Sequence, residues 1–337
     1  RFLSALTVQW LLRYFWPVIV SEVEGLRSQK TGEPIRGWII TIPLTASQMM
    51  QDREHAVRLI KRAVKLARVR GATVLGLGAL NASVTYRGRE LNDLLREYQM
   101  GVTTGVGYTA YNISDLAMLL ITKFKLEIRE VKFGIVGAAG SIGHSTIRQL
   151  LARGVRNFVL IDLERKHDRI QKLLGTYTRN YPDSVFEVTY DLCKLRKCIF
   201  IVSATNVPES LIRSEHLNRG TIVIDDAQPS DIDQDVIINR EDVLVIEGGV
   251  IEVTGINPHV SFGLKHKTDV FSCLAEVMVL AAFHRNNEQN FEYDSAEKID
   301  EIGRQGKILG FGRAEFQNFK KVYKDEDIDE FYEKYIK

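Results

Sequence analysis

One heptapeptide constrains this chain more than any other: Gly137-Ala-Ala-Gly140-Ser-Ile-Gly143, set between the short apolar run Lys132–Val136 and a stretch of helical period, Ser141–Ala152. A strand that ends in glycines and reopens as a helix lets backbone approach an anion. The first glycine makes the tight turn, the second admits the backbone to a pyrophosphate, and the third lets the helix pack on the strand. The helix N-terminus then turns unpaired N–H groups toward the phosphates. Glycines at this spacing are a weak signal alone. Here a second apolar run, Asn157–Ile161, follows the helix and ends at Asp162, which is the context the motif needs.

The alternation continues. A charged helix spans Glu164–Leu174, and the runs Val185–Thr189, Cys198–Ser203, Thr221–Ile224 and Val243–Ile246 follow as short strands. Strands separated by helical connections form a parallel sheet covered on both faces. Gly137, Ala138, Ala139, Gly140, Ser141, Ile142 and Gly143 are therefore expected around a dinucleotide, with Ser203, Ala204 and Thr205 as further contacts at the end of a later strand. Asp162 stands where ribose hydroxyls are held, which favours NADH. Arg165 and Lys166 suit the 2′-phosphate of NADPH, so the residues leave the choice between the two cofactors open. Tyr190 and Lys194 match the spacing of the short-chain dehydrogenase pair, but they fall after the third strand, too early for that role, and read as coincidence.

Ahead of this region, Val18–Val23 and Arg36–Ile42 read as strands, Thr45–Arg70 as one long helix, Thr73–Gly78 as a strand and Tyr108–Phe124 as a helix. Beyond Ile256 the chain reads as helices over Val270–His284 and Ser295–Lys307, then a charged tail. The expected architecture is α/β: an N-terminal α/β domain over residues 1–129, a Rossmann-type doubly wound parallel sheet over 130–256, and C-terminal helices over 257–337. A length of 337 residues suits more than one core. The net charge of +2 gives no reason to expect nucleic acid as a partner. Three cysteines without a CxxC pair fit a reducing, cytoplasmic setting rather than a disulfide framework. No residue set is singled out as metal ligands. The apolar stretch Phe2–Val20 is interrupted by Arg13 and Pro17, so it reads as a buried helix or, at most, a peripheral membrane contact rather than a span.

The helix expected from Val270 is apolar nearly all round, which marks it as buried. With Thr268 or Asp269 as its cap, Cys273 falls in the first turn, where free N–H groups and the helix dipole favour a thiolate. Glu276 follows one turn on, the only carboxylate of the helix. A buried cysteine is otherwise a small core residue, and a buried glutamate a structural hydrogen-bonding group, so the residues alone leave both roles open.

Several segments together resemble the long-chain acyl-[acyl-carrier-protein] reductases, over residues 18 to 310. Thr103-Thr-Gly-Val-Gly-Tyr-Thr-Ala-Tyr111 is similar to the family's TTG…TAY segment, and Gly137–Gly143 to its GATGDIG loop. Ile222-Val-Ile-Asp225 and Gly248-Gly-Val-Ile-Glu252 resemble its later strand ends. Phe271-Ser-Cys-Leu-Ala-Glu276 resembles its FACFAE segment, whose cysteine carries the acyl group. The resemblance implies an enzyme in which Cys273 takes a fatty acyl group from acyl carrier protein or acyl-CoA, and the acyl-enzyme is reduced to an aldehyde at the expense of NAD(P)H. Thr103 and Thr104 would then contribute donors beside Cys273 or simply cap a helix at Gly105, and Glu276 would assist Cys273. Asp162 departs from the uncharged residue of NADPH-using members. The cations Arg58, Lys61, Arg62, Lys65 and Arg68 share one helical face, which suits an acidic carrier protein or a merely solvated surface. Two rival readings remain: a dehydrogenase of small hydroxy or amino acids, and a non-catalytic dinucleotide sensor.

Overall fold

The computed structural model describes residues 15–207, 209–290 and 293–337, and residues 2–14 of the apolar N-terminal stretch lie outside them. The chain forms two compact units, each gathered from separated segments. One joins the residues up to Gly105 to Glu252–Phe291 and Gln305–Phe311, and the other joins Val106–Ile251 to Glu292–Arg304 and Gly312–Lys337.

In the first unit, β1 (Val18–Arg27) and β2 (Pro34–Thr41) form an antiparallel hairpin. The long helix expected from Thr45 is two helices, α1 (Ala46–Gln51) and α2 (Arg53–Val69). Asp52 separates them at φ −126° and ψ 69°, and its carboxylate caps α2 by accepting from the His55 N–H at 3.1 Å. A side chain that offers its own cap competes with continuation of the helix, which hydrophobic period does not register. Three residues, β3 (Val74–Gly76), are all that forms of the strand expected there. After α3 (Asn92–Tyr98), the Gly- and Thr-rich stretch contributes a strand that its composition conceals, β4 (Gly101–Thr103), running parallel to β3. Ala56, Ile60, Val64 and Ala67 of α2 pack with Leu77, Leu91, Leu95 and Val102 into this unit's core.

The second unit opens with α4 (Val106–Lys123) and continues through β5 (Lys132–Val136), α5 (Ser141–Ala152), β6 (Asn157–Ile161), α6 (His167–Asn180), β7 (Val185–Thr189), β8 (Phe200–Ser203), β9 (Thr221–Asp225), α7 (Gln234–Asn239) and β10 (Val243–Glu247). The six strands make one parallel sheet in the order β10-β9-β8-β5-β6-β7. Alternate residues supply two separate cores, as a strand period of two requires. Phe133, Phe158, Leu160, Phe200, Ile222 and Ile224 face one; Val159, Ile161, Ile201 and Val223 face the other. This is the doubly wound sheet that the alternation predicts, with its crossing point between β5 and β8.

Two expectations for the C-terminal part need correction. The apolar helix starts at Ser272, not Val270: α8 covers Ser272–Ala282, and Val270 lies in the short strand Asp269–Phe271. In the first unit, β11 (Gln289–Asn290) pairs with β4 in parallel, on the side opposite β3. After α9 (Ala296–Ile308), the charged tail is not a tail but α10 (Asp325–Tyr335). Its Ile328 and Phe331 are buried in the sheet's core, and Tyr332 stacks on Phe124 with centroids 5.1 Å apart. Charge on the outer face hides this narrow apolar stripe from a composition reading.

Candidate active site

The glycine loop leaves β5 at Gly137, whose φ of +84° favours glycine. Space gives a second reason. A Cβ on Gly137 would lie 2.6 Å from the Ala204 carbonyl oxygen, and Cβ atoms on Gly140 and Gly143 would lie 2.9 and 2.3 Å from the Gly137 carbonyl oxygen. The loop therefore folds on itself and against the chain following β8, where Ala204 N–H donates to the Val136 carbonyl at 3.1 Å. Four loop N–H groups are already used: Gly137 and Ala138 donate to the Ile161 carbonyl at 2.9 and 3.1 Å, Ala139 to Asp162 Oδ2 at 2.8 Å, and Gly140 to the Gly137 carbonyl at 2.8 Å. Half-buried Ser141 and Ile142, with buried Gly143, form the first turn of α5, whose N–H groups have no partner within the helix.

Asp162 has a nearly buried side chain and three partners. Besides Ala139, its Oδ1 accepts from the Leu163 N–H at 2.8 Å and pairs with Lys166 Nζ at 2.9 Å. The carboxylate thus ties the loop to the end of β6, and Lys166 neutralises it; Arg165 stays exposed. Fully buried Ser203 gives its hydroxyl proton to Asp231, itself fully buried, and Thr205 donates to both Asp231 oxygens, from Oγ1 at 2.6 Å and from N–H at 3.1 Å. Ser203 and Thr205 are therefore held by a carboxylate that the sequence reading did not single out. Aspartates are common in turns, and nothing local distinguishes Asp231. Nearby, burial raises the Asp225 carboxyl to about pKa 7 against the Ser230 hydroxyl that favours its anion, and burial followed by the Asp225 charge lifts Asp226 well above the carboxylate range. Tyr190 follows the edge strand β7 and shares a hydrogen bond with exposed His167 at 2.5 Å.

In the other unit, Cys273 is the second residue of α8 and half-buried. Phe271 stands at the N-cap and offers no side-chain cap; Asp269 lies in the preceding strand, where its carboxylate accepts from the His266 N–H at 3.3 Å. Glu276 and Thr103 are both fully buried, and the Thr103 hydroxyl donates to Glu276 Oε1 while accepting from the Gly105 N–H at 2.9 Å. Gly105 (φ +76°) lies against the nucleophile candidate: a Cβ there would be 2.3 Å from Cys273 Cβ. The structure thus brings Thr103, Gly105, Cys273 and Glu276 together from positions far apart in sequence. Thr104 adjoins them and is buried. The three cysteines form no disulfide. Among the described residues no helix is long and apolar enough to cross a membrane, and no group of three or more His, Cys, Asp or Glu is placed to hold a metal ion.

Comparison with known proteins bears on both halves of this arrangement. Residues 119–247 match the family model of shikimate/quinate 5-dehydrogenases. The sheet is the part that matches. Over 292 residues the chain is 29% identical to the aminotransferase PigE of Serratia sp., covering 83% of this chain but 33% of that protein. The chain therefore spans a third of that relative's length. It is 25% identical over 316 residues to the long-chain acyl-[acyl-carrier-protein] reductase of Synechococcus elongatus, covering 88% of this chain and 89% of that one. Among solved structures it is similar to shikimate 5-dehydrogenase from Listeria monocytogenes in complex with shikimate and NAD, at 15% identity, 57% and 62% coverage and a TM-score of 0.33.

Proposed function

We propose that the chain reduces a long-chain fatty acyl thioester, of acyl carrier protein or coenzyme A, to the aldehyde through an acyl group carried on Cys273. The observation that carries this reading is the setting of Cys273: first turn of a buried helix, no side-chain cap at its N-cap, Gly105 against its Cβ, and the buried Thr103–Glu276 pair beside it. Similarity to the acyl-[acyl-carrier-protein] reductase along most of both chains supports it.

The Cys273 thiolate attacks the thioester carbonyl, a Cys273–acyl bond forms, and the carrier leaves as its thiolate to take up a proton. A nicotinamide dinucleotide, when bound, supplies the reducing equivalent that converts the Cys273 thioester to aldehyde and regenerates the thiol. The glycine loop and the first turn of α5 fit its pyrophosphate, and Asp162 keeps that loop in place. Asp162 with Lys166 and Arg165 serves either NADH or NADPH. Glu276 acts through Thr103 as a positioning residue, because the Thr103 hydroxyl links it to Gly105 rather than to an exposed surface.

The family match over 119–247 favours one other reading, a dehydrogenase of a small hydroxy acid, which needs no Cys273. Intact-mass measurement after mixing with a long-chain acyl-CoA separates the two. Wild type is expected to gain one acyl group on Cys273, and Cys273→Ser to gain none while still binding dinucleotide. A Cys273→Ser enzyme that produces aldehyde at the wild-type rate would sink the covalent route.

A further inference from the structure

Ser272, the residue before Cys273, is 1% exposed, and its Oγ has no hydrogen-bond partner among the described residues. A hydroxyl buried without a partner is unfavourable, because it has given up its hydrogen bonds to water. The Thr103 hydroxyl cannot serve the acyl oxygen in its place, because its one proton is directed at Glu276. The Ser272 proton has no such commitment. It stands on the first turn of an eleven-residue helix whose N-cap, Phe271, supplies no side-chain cap. The N-terminus of such a helix carries partial positive charge and attracts anions.

We propose that Ser272 Oγ, at the N-terminus of α8, is the oxyanion donor for the adduct at Cys273. This rests on the acyl-thioester reading and adds to it a donor residue. As the thiolate attacks, the new C–S bond forms and the carbonyl π pair moves onto oxygen; Ser272 donates a hydrogen bond to that oxygen and keeps its proton. When the pair returns, the carrier thiolate leaves. The segment that Phe271–Glu276 resembles has alanine in this place, so the hydroxyl is a feature of this chain.

The test is Ser272→Ala in the full chain, with two readouts at Cys273 resolved by peptide mass spectrometry. Acyl transfer from a long-chain acyl-CoA is expected to slow ~10²-fold, the usual cost of one oxyanion donor. The rate of alkylation by iodoacetate relative to neutral iodoacetamide is expected to fall several-fold, because the anionic reagent alone gains from the site. Unchanged dinucleotide affinity and a melting temperature no lower than that of wild type establish that the variant is folded. Wild-type acylation with equal acylation of Ser272→Ala overturns the oxyanion site and leaves the proposed function standing. No acylation of wild type, with a fall in the alkylation ratio, keeps the anion site and removes the thioester reading. A Cys273 that reacts with none of the three reagents overturns both.

Discussion

At the scale of single residues, Asp162 carries more than its position after β6 suggests. Its oxygens hold the Ala139 and Leu163 N–H groups and pair with Lys166, so they brace the phosphate loop before any cofactor arrives. Asp162→Ala should therefore weaken both cofactors. It should weaken NADH by about tenfold more than NADPH, since the freed Lys166 gains the 2′-phosphate as a partner. Calorimetric titration of wild type and variant with each cofactor measures this, and equal losses for the two would show that Lys166 does not turn to the phosphate. The loop was legible in sequence because each glycine answers a local demand: a positive φ at 137, and crowding against the Gly137 carbonyl at 140 and 143. The partners of Ser203 and the unpaired hydroxyl of Ser272 were not. Each depends on where the fold brings other groups, and no spacing along the chain records that.

At the scale of elements, α2 separates its two jobs by face. Ala56, Ile60, Val64 and Ala67 are buried, while Arg58, Lys61, Arg62, Lys65 and Arg68 are exposed. Among the described residues, Arg58 lies 3.8 Å from Glu54, and Arg62 lies over the Trp16 ring at 4.4 Å. A face of this kind suits an acidic carrier protein approached through long-range attraction. Lys61→Glu with Lys65→Glu is expected to raise KM for an acyl carrier protein substrate by about tenfold at low salt and to flatten its salt dependence, with acyl-CoA turnover unchanged. Equal losses on both substrates would place the carrier elsewhere. The strands β5 to β10 were found from sequence, because their apolar runs are bounded by turns and helices. The break at Asp52 was not, because hydrophobic period does not register a side-chain cap, and neither were the short β4 and β11, since two or three residues give no period to detect.

At the scale of the whole chain, neither unit is a continuous piece of sequence. The sheet occupies Val106–Ile251 but borrows Ile328, Phe331 and Tyr332 from α10. Each such side chain contributes ~1.5–3 kcal/mol when buried, against ~5–15 kcal/mol for an entire domain. A fragment of residues 106–251 is accordingly expected to show no cooperative thermal transition by circular dichroism. Melting like that of the full chain would mean that the sheet is self-sufficient without its C-terminal helix.

The hydrogen bond from Thr103 to Glu276 spans 173 positions of sequence, and Cys273 lies beyond the last strand of the large sheet. A ribosome adds residues one by one from the N-terminus, at ~5–20 per second, so for roughly ten to thirty-five seconds Thr103 and Gly105 wait without their helix. The thiol is made late, and it meets Gly105 only once α8 has emerged and docked. The sheet waits longer still, for Ile328 and Phe331 of α10, so neither unit is complete until synthesis is nearly over, and a ribosome that stalls early releases no cysteine at this position.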